Sequence, residues 1–129
     1  MEKRAYLFLI SFFLWATIIL AQDVSGVTTA FKRGSAQELN AFLGDKVEYI
    51  YLGDSKTYDK AKTQQVINDF FAGNKVSNFA VNHQGNRGES SFIVGTLNTS
   101  AGNYRINCFF KKNGDQYLIH QIRIDKSNE

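Results

Sequence analysis

The sequence predicts an α+β domain, helices first and an antiparallel sheet after them, and three observations carry that reading. Up to Ala72, apolar residues recur at helical spacing in three segments. From Asn78 onward the chain offers only runs rich in β-branched and aromatic residues, separated by Gly- and Asn-bearing turns. Between the last two runs stands Asn113-Gly114, the strongest short hairpin signal present. Helical segments followed by a run of strands is the element order of an α+β fold.

Each element has a local cause. Val24, Val27, Ala30 and Phe31 form one face of a short first helix, which Gly34 ends. Ser35 and Glu38 form a capping box for the second: the serine oxygen accepts from the Glu38 amide, and the Glu38 side chain reaches back. Its stripe is Leu39, Phe42 and Leu43, and Gly44 ends it. Val47 to Leu52 predicts a strand, Gly53-Asp54-Ser55 a turn, and Lys56-Thr57-Tyr58 a short strand pairing back. Asp59 caps a third helix, Lys60 to Ala72, with Ala61, Val66, Ile67, Phe70 and Phe71 on one face and Gly73-Asn74 as its stop. Four strands follow: Asn78 to Gln84 with Phe79, Val81 and His83 on one side, then Ser91 to Thr99, Asn103 to Lys112 and Gln116 to Asp125.

A two-residue turn at Asn113-Gly114 predicts a register for the last hairpin. Phe110 then meets Tyr117, Cys108 meets Ile119, Ile106 meets Gln121 and Tyr104 meets Arg123 on one face. Phe109 with Leu118, Asn107 with His120, and Arg105 with Ile122 share the other. Both faces are substantially apolar, whereas a sheet wetted on one side alternates more cleanly. Helices are therefore expected over one face and a second copy of the chain over part of the other.

Composition sets outer limits. The chain has 129 residues, 43% of them apolar and 21% charged, which suits one domain and excludes wholesale disorder. A single Cys, Cys108, excludes a disulfide scaffold or a Cys-based zinc finger. Lys3-Arg4 precede an uncharged stretch, Ala5 to Ala21, and polarity returns at Gln22-Asp23. That is the pattern of a secretory signal peptide over 1–21, cut near Ala21-Gln22, leaving 22–129 as the domain. An uncleaved leader would instead act as a membrane anchor, but its length sits at the lower edge for a spanning helix, which needs ~20 residues. The expected location is periplasmic or extracellular. Cations stand in pairs (Lys32-Arg33, Lys111-Lys112) or among acids, so nucleic-acid binding is not expected.

Five segments carry a resemblance: Ala30-Phe31-Lys32-Arg33-Gly34-Ser35, Val66-Ile67-Asn68-Asp69-Phe70-Phe71, His83-Gln84-Gly85, Gly95-Thr96-Leu97, and Tyr117-Leu118-Ile119-His120-Gln121-Ile122-Arg123-Ile124. With them the chain resembles the nuclear-transport-factor-2-like (cystatin-related cone) superfamily. It is more closely similar to a family of small exported Bacteroidota proteins, domain-of-unknown-function family 4783. The resemblance implies N-terminal helices packed on a curved antiparallel sheet of four to five strands. It implies no activity, since the family has none assigned and the superfamily spans isomerases, dehydratases, cyclases and pockets without known chemistry.

Candidate chemistry is sparse. His83 and His120 are the only histidines; either could act as a base or ligand, but they lie on different strands without metal-ligand spacing. Glu48, Asp54, Asp59 and Asp69 fall where the resembled fold places pocket mouths, and Tyr49, Tyr51, Tyr58 and Tyr104 could supply a hydroxyl. Asp59 reads better as a cap and Asp69 as a solvated helix position. Arg123, opposite Tyr104 in the predicted register, could hold a carboxylate. Cys108, mid-strand among apolar neighbours, is expected to be buried.

The resulting expectation is an exported binding or interaction module without catalysis, with a small pocket between the sheet and the third helix. Its binding residues are His120, Asn107, Arg123, Tyr104 and His83. Expected partners are a small apolar or carboxylate-bearing ligand and a second copy docked through the sheet, with no cofactor and no metal. Two alternatives stay open: a small-molecule isomerase, dehydratase or hydrolase using a pocket His or carboxylate, and an envelope assembly subunit.

Overall fold

The computed structural model describes residues 25–128; the leader expected over 1–21 and its cut lie outside the described residues. Helix α1 covers 25–33. Gly34 ends it at φ +59°, and the amides of Gly34 and Ser35 donate to the carbonyls of Phe31 and Ala30. Helix α2, Ala36–Asn40, starts at Ser35, whose Oγ accepts from the Glu38 amide at 3.1 Å. The other half of the expected capping box is absent. The Ser35 amide is already taken by Ala30, and the Glu38 carboxylate accepts from Arg33 Nη1 at 2.8 Å instead. Leu43, expected on this helix's stripe, and Gly44, expected to end it, open the first strand.

The strands are β1 Leu43–Tyr51, β2 Asp54–Asp59, β3 Val76–Arg87, β4 Ser90–Thr99, β5 Gly102–Asn113 and β6 Gln116–Lys126. Helix α3, Lys60–Gly73, lies between β2 and β3 and starts at Asp59, whose Oδ1 accepts from the Lys62 amide at 2.8 Å. All six strands form one sheet in the order β2-β1-β6-β5-β4-β3. The expected four to five antiparallel strands are therefore corrected to six, and one neighbouring pair, β1 with β6, is parallel. Tyr51 pairs with Asp54, so the β1–β2 turn is Leu52-Gly53, at φ +51° and +89°, one step earlier than expected.

The helices cover one face of the sheet, and aromatic rings fill the space between. Phe31 lies 5.0 Å from Phe79, and Phe70 lies 5.7 Å from Phe71 and 5.2 Å from Tyr104. Phe31, Phe70, Phe71, Phe79, Tyr49 and Tyr104 are all buried. The pocket expected between the sheet and the third helix is thus occupied by the chain's own side chains. Among the described residues, two hollows lie elsewhere. One, of about 600 Å³, opens between α1 and the β3–β4 ends, beside Thr29, Lys32, Gln84, Asn86 and Ser91. The other, of about 390 Å³, lies on the uncovered face.

Two β-bulges decide which side chains reach that uncovered face. In β3, Val81 pairs with Gly95 and His83 with Val94, leaving Asn82 as an extra residue. In β6, Ile119 pairs with Phe110 and Gln121 with Phe109, leaving His120 as an extra residue. An inserted residue reverses the alternation beyond it. His83 therefore leaves the face of Phe79 and Val81, with which it was expected. The last hairpin is corrected as well. Its turn is Gly114-Asp115, because Asn113 pairs with Gln116, and the bulge shifts the register further. Cys108 meets Ile122, Ile106 meets Ile124 and Tyr104 meets Lys126. Arg123 pairs with Asn107 on the outer face rather than with Tyr104 in the core.

Candidate functional site: the outer face of the sheet

The register lays the outer face out in rows across the strands. One runs His83, Val94, Asn107, Arg123, Ile50 and Ser55, from β3 through β4, β5, β6 and β1 to β2. The neighbouring row runs Gly85, Phe92, Phe109, Gln121, Glu48 and Thr57. Three of the five expected binding residues, His83, Asn107 and Arg123, thus fall in a single row, and His120 sits at the bulge beside the second. Tyr104 does not join them. It lies on the covered face, where its hydroxyl donates to Asn74 Oδ1 at 2.9 Å and its ring meets Phe70 edge-on. Burial holds the phenol above its usual range, the reverse of what an acid catalyst needs.

Polar groups on this face are partly satisfied and partly stranded. Glu48 accepts from Ser55 Oγ at 2.7 Å and Gln121 Nε2 at 2.8 Å. Those two bonds, Ser55 first, hold its carboxyl below the ordinary value. Arg123 Nε donates to Asp125 Oδ2 at 2.8 Å. Among the described residues, Asn107 Oδ1 and His120 Nδ1 are buried and have no hydrogen-bond partner. Beside them Phe92 and Phe109 stand 6.3 Å apart, and Phe109 is 38% exposed. The Glu48–Ser55–Gln121 network and the aromatic pair were not foreseen. The expected register sets Gln121 opposite Ile106, on the face of Cys108 and Phe110, and no local pattern ties Glu48 to a residue 73 positions away.

His120 gives this face a pH signature. Its imidazole is held below the ordinary 6.5, first by burial and then by Lys111, while a Phe109 backbone hydrogen bond and Glu48 pull the other way. The folded state thus prefers the neutral ring, and the unfolded chain binds the proton first as pH falls. The associated stability is present above about pH 6.5 and is lost on acidification. Glu48 adds a loss of the same sign that begins only near its ordinary 4.5. Urea midpoints measured between pH 8 and pH 5 should fall with pH in the wild type. In His120→Gln the slope over that window should flatten; an unchanged slope would remove His120 as the cause.

Among the described residues, no group of His, Cys, Asp and Glu is placed to hold a metal ion. The family model described as "Domain of unknown function (DUF4783)" matches residues 24–125. No curated relative matches the chain. Among solved structures, a DUF4783 family protein from Bacteroides ovatus is similar at 60% identity and TM-score 0.80, covering 81% of this chain and 94% of that one. One from Bacteroides uniformis is similar at 51% identity and TM-score 0.79, covering 81% and 97%. A protein of the NTF2-like family from Streptomyces avermitilis shares only the fold, at 11% identity and TM-score 0.64, covering 85% and 94%. With four-fifths of its length matched by the family model and an α+β, NTF2-like architecture, the chain belongs to the DUF4783 family.

Proposed function

We propose that this protein is an exported, non-catalytic interaction module whose outer sheet face packs against a second copy of itself. The observation that carries the reading is the stranded carbonyl of Asn107. A buried acceptor without a partner costs about 1–3 kcal/mol, and the centre of an open sheet face offers it none. A second copy related by a two-fold axis near Asn107 sets amide against amide, each donating and accepting. Phe92 and Phe109 flank that axis as apolar anchors. The four long strands present a face of about 700 Å², close to the ~800 Å² per partner of a standard interface. The filled interior supports a role without catalysis, and the uncharged stretch Ala5 to Ala21 supports export.

The test is native mass spectrometry and sedimentation of protein produced with its own leader and recovered from the periplasm. Expected are an N-terminus at Gln22 and a dimer. Phe109→Glu should weaken the dimer by about thirtyfold or more, as loss of a central anchor worth ~2 kcal/mol does, while thermal unfolding of the monomer stays near wild type. A wild type that sediments as a monomer at high concentration overturns the dimer; a retained leader overturns cleavage.

A further inference from the structure

The hollow on the outer face begins at the first row, with His83 and Val94, and extends toward the end of the sheet where β6 runs out. It is lined on β3 by Asn82 and His83, on β4 by Thr96, on β5 by Arg105 and at the end of β6 by Lys126. The bulge in β3 shapes it. Asn82, the inserted residue, turns its amide across the sheet, and Nδ2 donates to Thr96 Oγ1 at 2.9 Å. Bulges commonly re-aim a side chain in this way beside binding sites. The Thr96 oxygen is an acceptor in that bond, and its hydroxyl still has one proton to donate.

The charges around the hollow are one-sided. Asp125, which faces Arg105 across the strands, is engaged by Arg123 Nε at 2.8 Å. Among the described residues, that leaves the Arg105 guanidinium and the Lys126 ammonium without an ion-pair partner, and none of the lining residues carries a carboxylate. A planar fork, a point charge, an imidazole and a hydroxyl contributed by four strands suit an oxyanion with several accepting oxygens. At about 390 Å³ the hollow lies at the lower end of the range for small-molecule sites, large enough for an organic body behind the anionic group.

We propose that this groove binds a tetrahedral oxyanion, the phosphate or sulfate ester of a small molecule, gripped by Arg105 and Lys126 with Thr96 and His83 completing the shell. The groove shares the outer face with the proposed self-association but not its centre at Asn107 and Phe109, so sedimentation is read beside binding in the test.

The experiment is a chemical-shift titration of the isotopically labelled chain with inorganic phosphate, inorganic sulfate and acetate. Phosphate or sulfate should give saturable shifts at Asn82, His83, Thr96, Arg105 and Lys126, and the tighter of the two identifies the ester. Arg105→Gln should weaken binding by about tenfold, as loss of a charged hydrogen-bonding partner does. Arg105→Lys should fall between, because it keeps the charge and loses the fork. Lys60→Gln, on α3, should change nothing, and sedimentation of Arg105→Gln should match the wild type. No saturable shift, or an equal loss in Lys60→Gln, overturns the site. Acetate bound as tightly as phosphate overturns the tetrahedral assignment.

Discussion

Gly95→Ala is expected to destabilise the domain by about 2–3 kcal/mol, the range for forcing a methyl into a packed core. Gly95 sits on the covered face of β4 between Val81 of β3 and Ile106 of β5. A Cβ there would lie 2.5 Å from Phe79 Cζ, 2.6 Å from Phe79 Cε1 and 2.8 Å from the Ala80 carbonyl oxygen. The ring cannot retreat, because Phe79 is buried against Phe31 at 5.0 Å, and the carbonyl belongs to the neighbouring strand. For a domain of this size the loss corresponds to a fall in Tm of about 10–20 °C. If the ring is the main obstacle, Phe79→Leu should partly relieve it. The double variant should then be more stable than the sum of the single losses by about 1 kcal/mol. Strict additivity would refute the clash. Gly73→Ala is the matched control. No atom lies within 4 Å of its added Cβ, and alanine at the end of α3 should stabilise by up to about 0.5 kcal/mol.

The same glycine illustrates how far the sequence could be read. Elements marked by a local chemical signal were legible: Gly34 after α1, Ser35 ahead of α2, Asp59 ahead of α3, and the alternation that buries Ile93, Leu97, Ile106 and Cys108. What escaped was decided by long-range register. Asn82 and His120 are ordinary residues in ordinary strands; nothing in either marks an insertion, yet each reverses the faces beyond it. The reversals carry His83 and Arg123 to the outside and bring Ile122 and Ile124 inside, opposite Cys108 and Ile106. The parallel pairing of β1 with β6 had no local signature either, because it joins segments about as far apart as the domain allows. For the candidate site the residue types were therefore visible, but their grouping was not. His83, Asn107 and Arg123 share a row only because two bulges act together, whereas Tyr104 stays apart because the alternation of β5 sets it on the covered face with Ile106 and Cys108.

Cys108 should be silent toward thiol reagents in the native protein. It lies in the middle of β5 between Ile93 of β4 and Ile122 of β6, with no exposed surface. Burial also pushes its thiol well above the ordinary value, so the reactive thiolate is scarce even where a reagent arrives. Labelling then requires the sheet to open, and its rate should follow the unfolded fraction, some 10⁻³ or less of the free-thiol rate. Iodoacetamide with a mass readout should show no adduct under native conditions and complete labelling in denaturant. Native labelling at the free-thiol rate would mean that the β4–β5–β6 centre is not closed. Substitution should separate packing from polarity. Cys108→Ala leaves a small cavity and should cost about 1 kcal/mol. Cys108→Ser places a hydroxyl in the fully buried position between Ile93 and Ile122 and should cost about 2 kcal/mol or more. Under the proposed export this sealing has a direct use. In an oxidising compartment an accessible lone thiol cross-links molecules at random, whereas a thiol closed by folding leaves any dimer to the geometry of the outer face. Oxidation during refolding should therefore produce disulfide-linked dimers only while Cys108 is uncovered, and none once the sheet has formed.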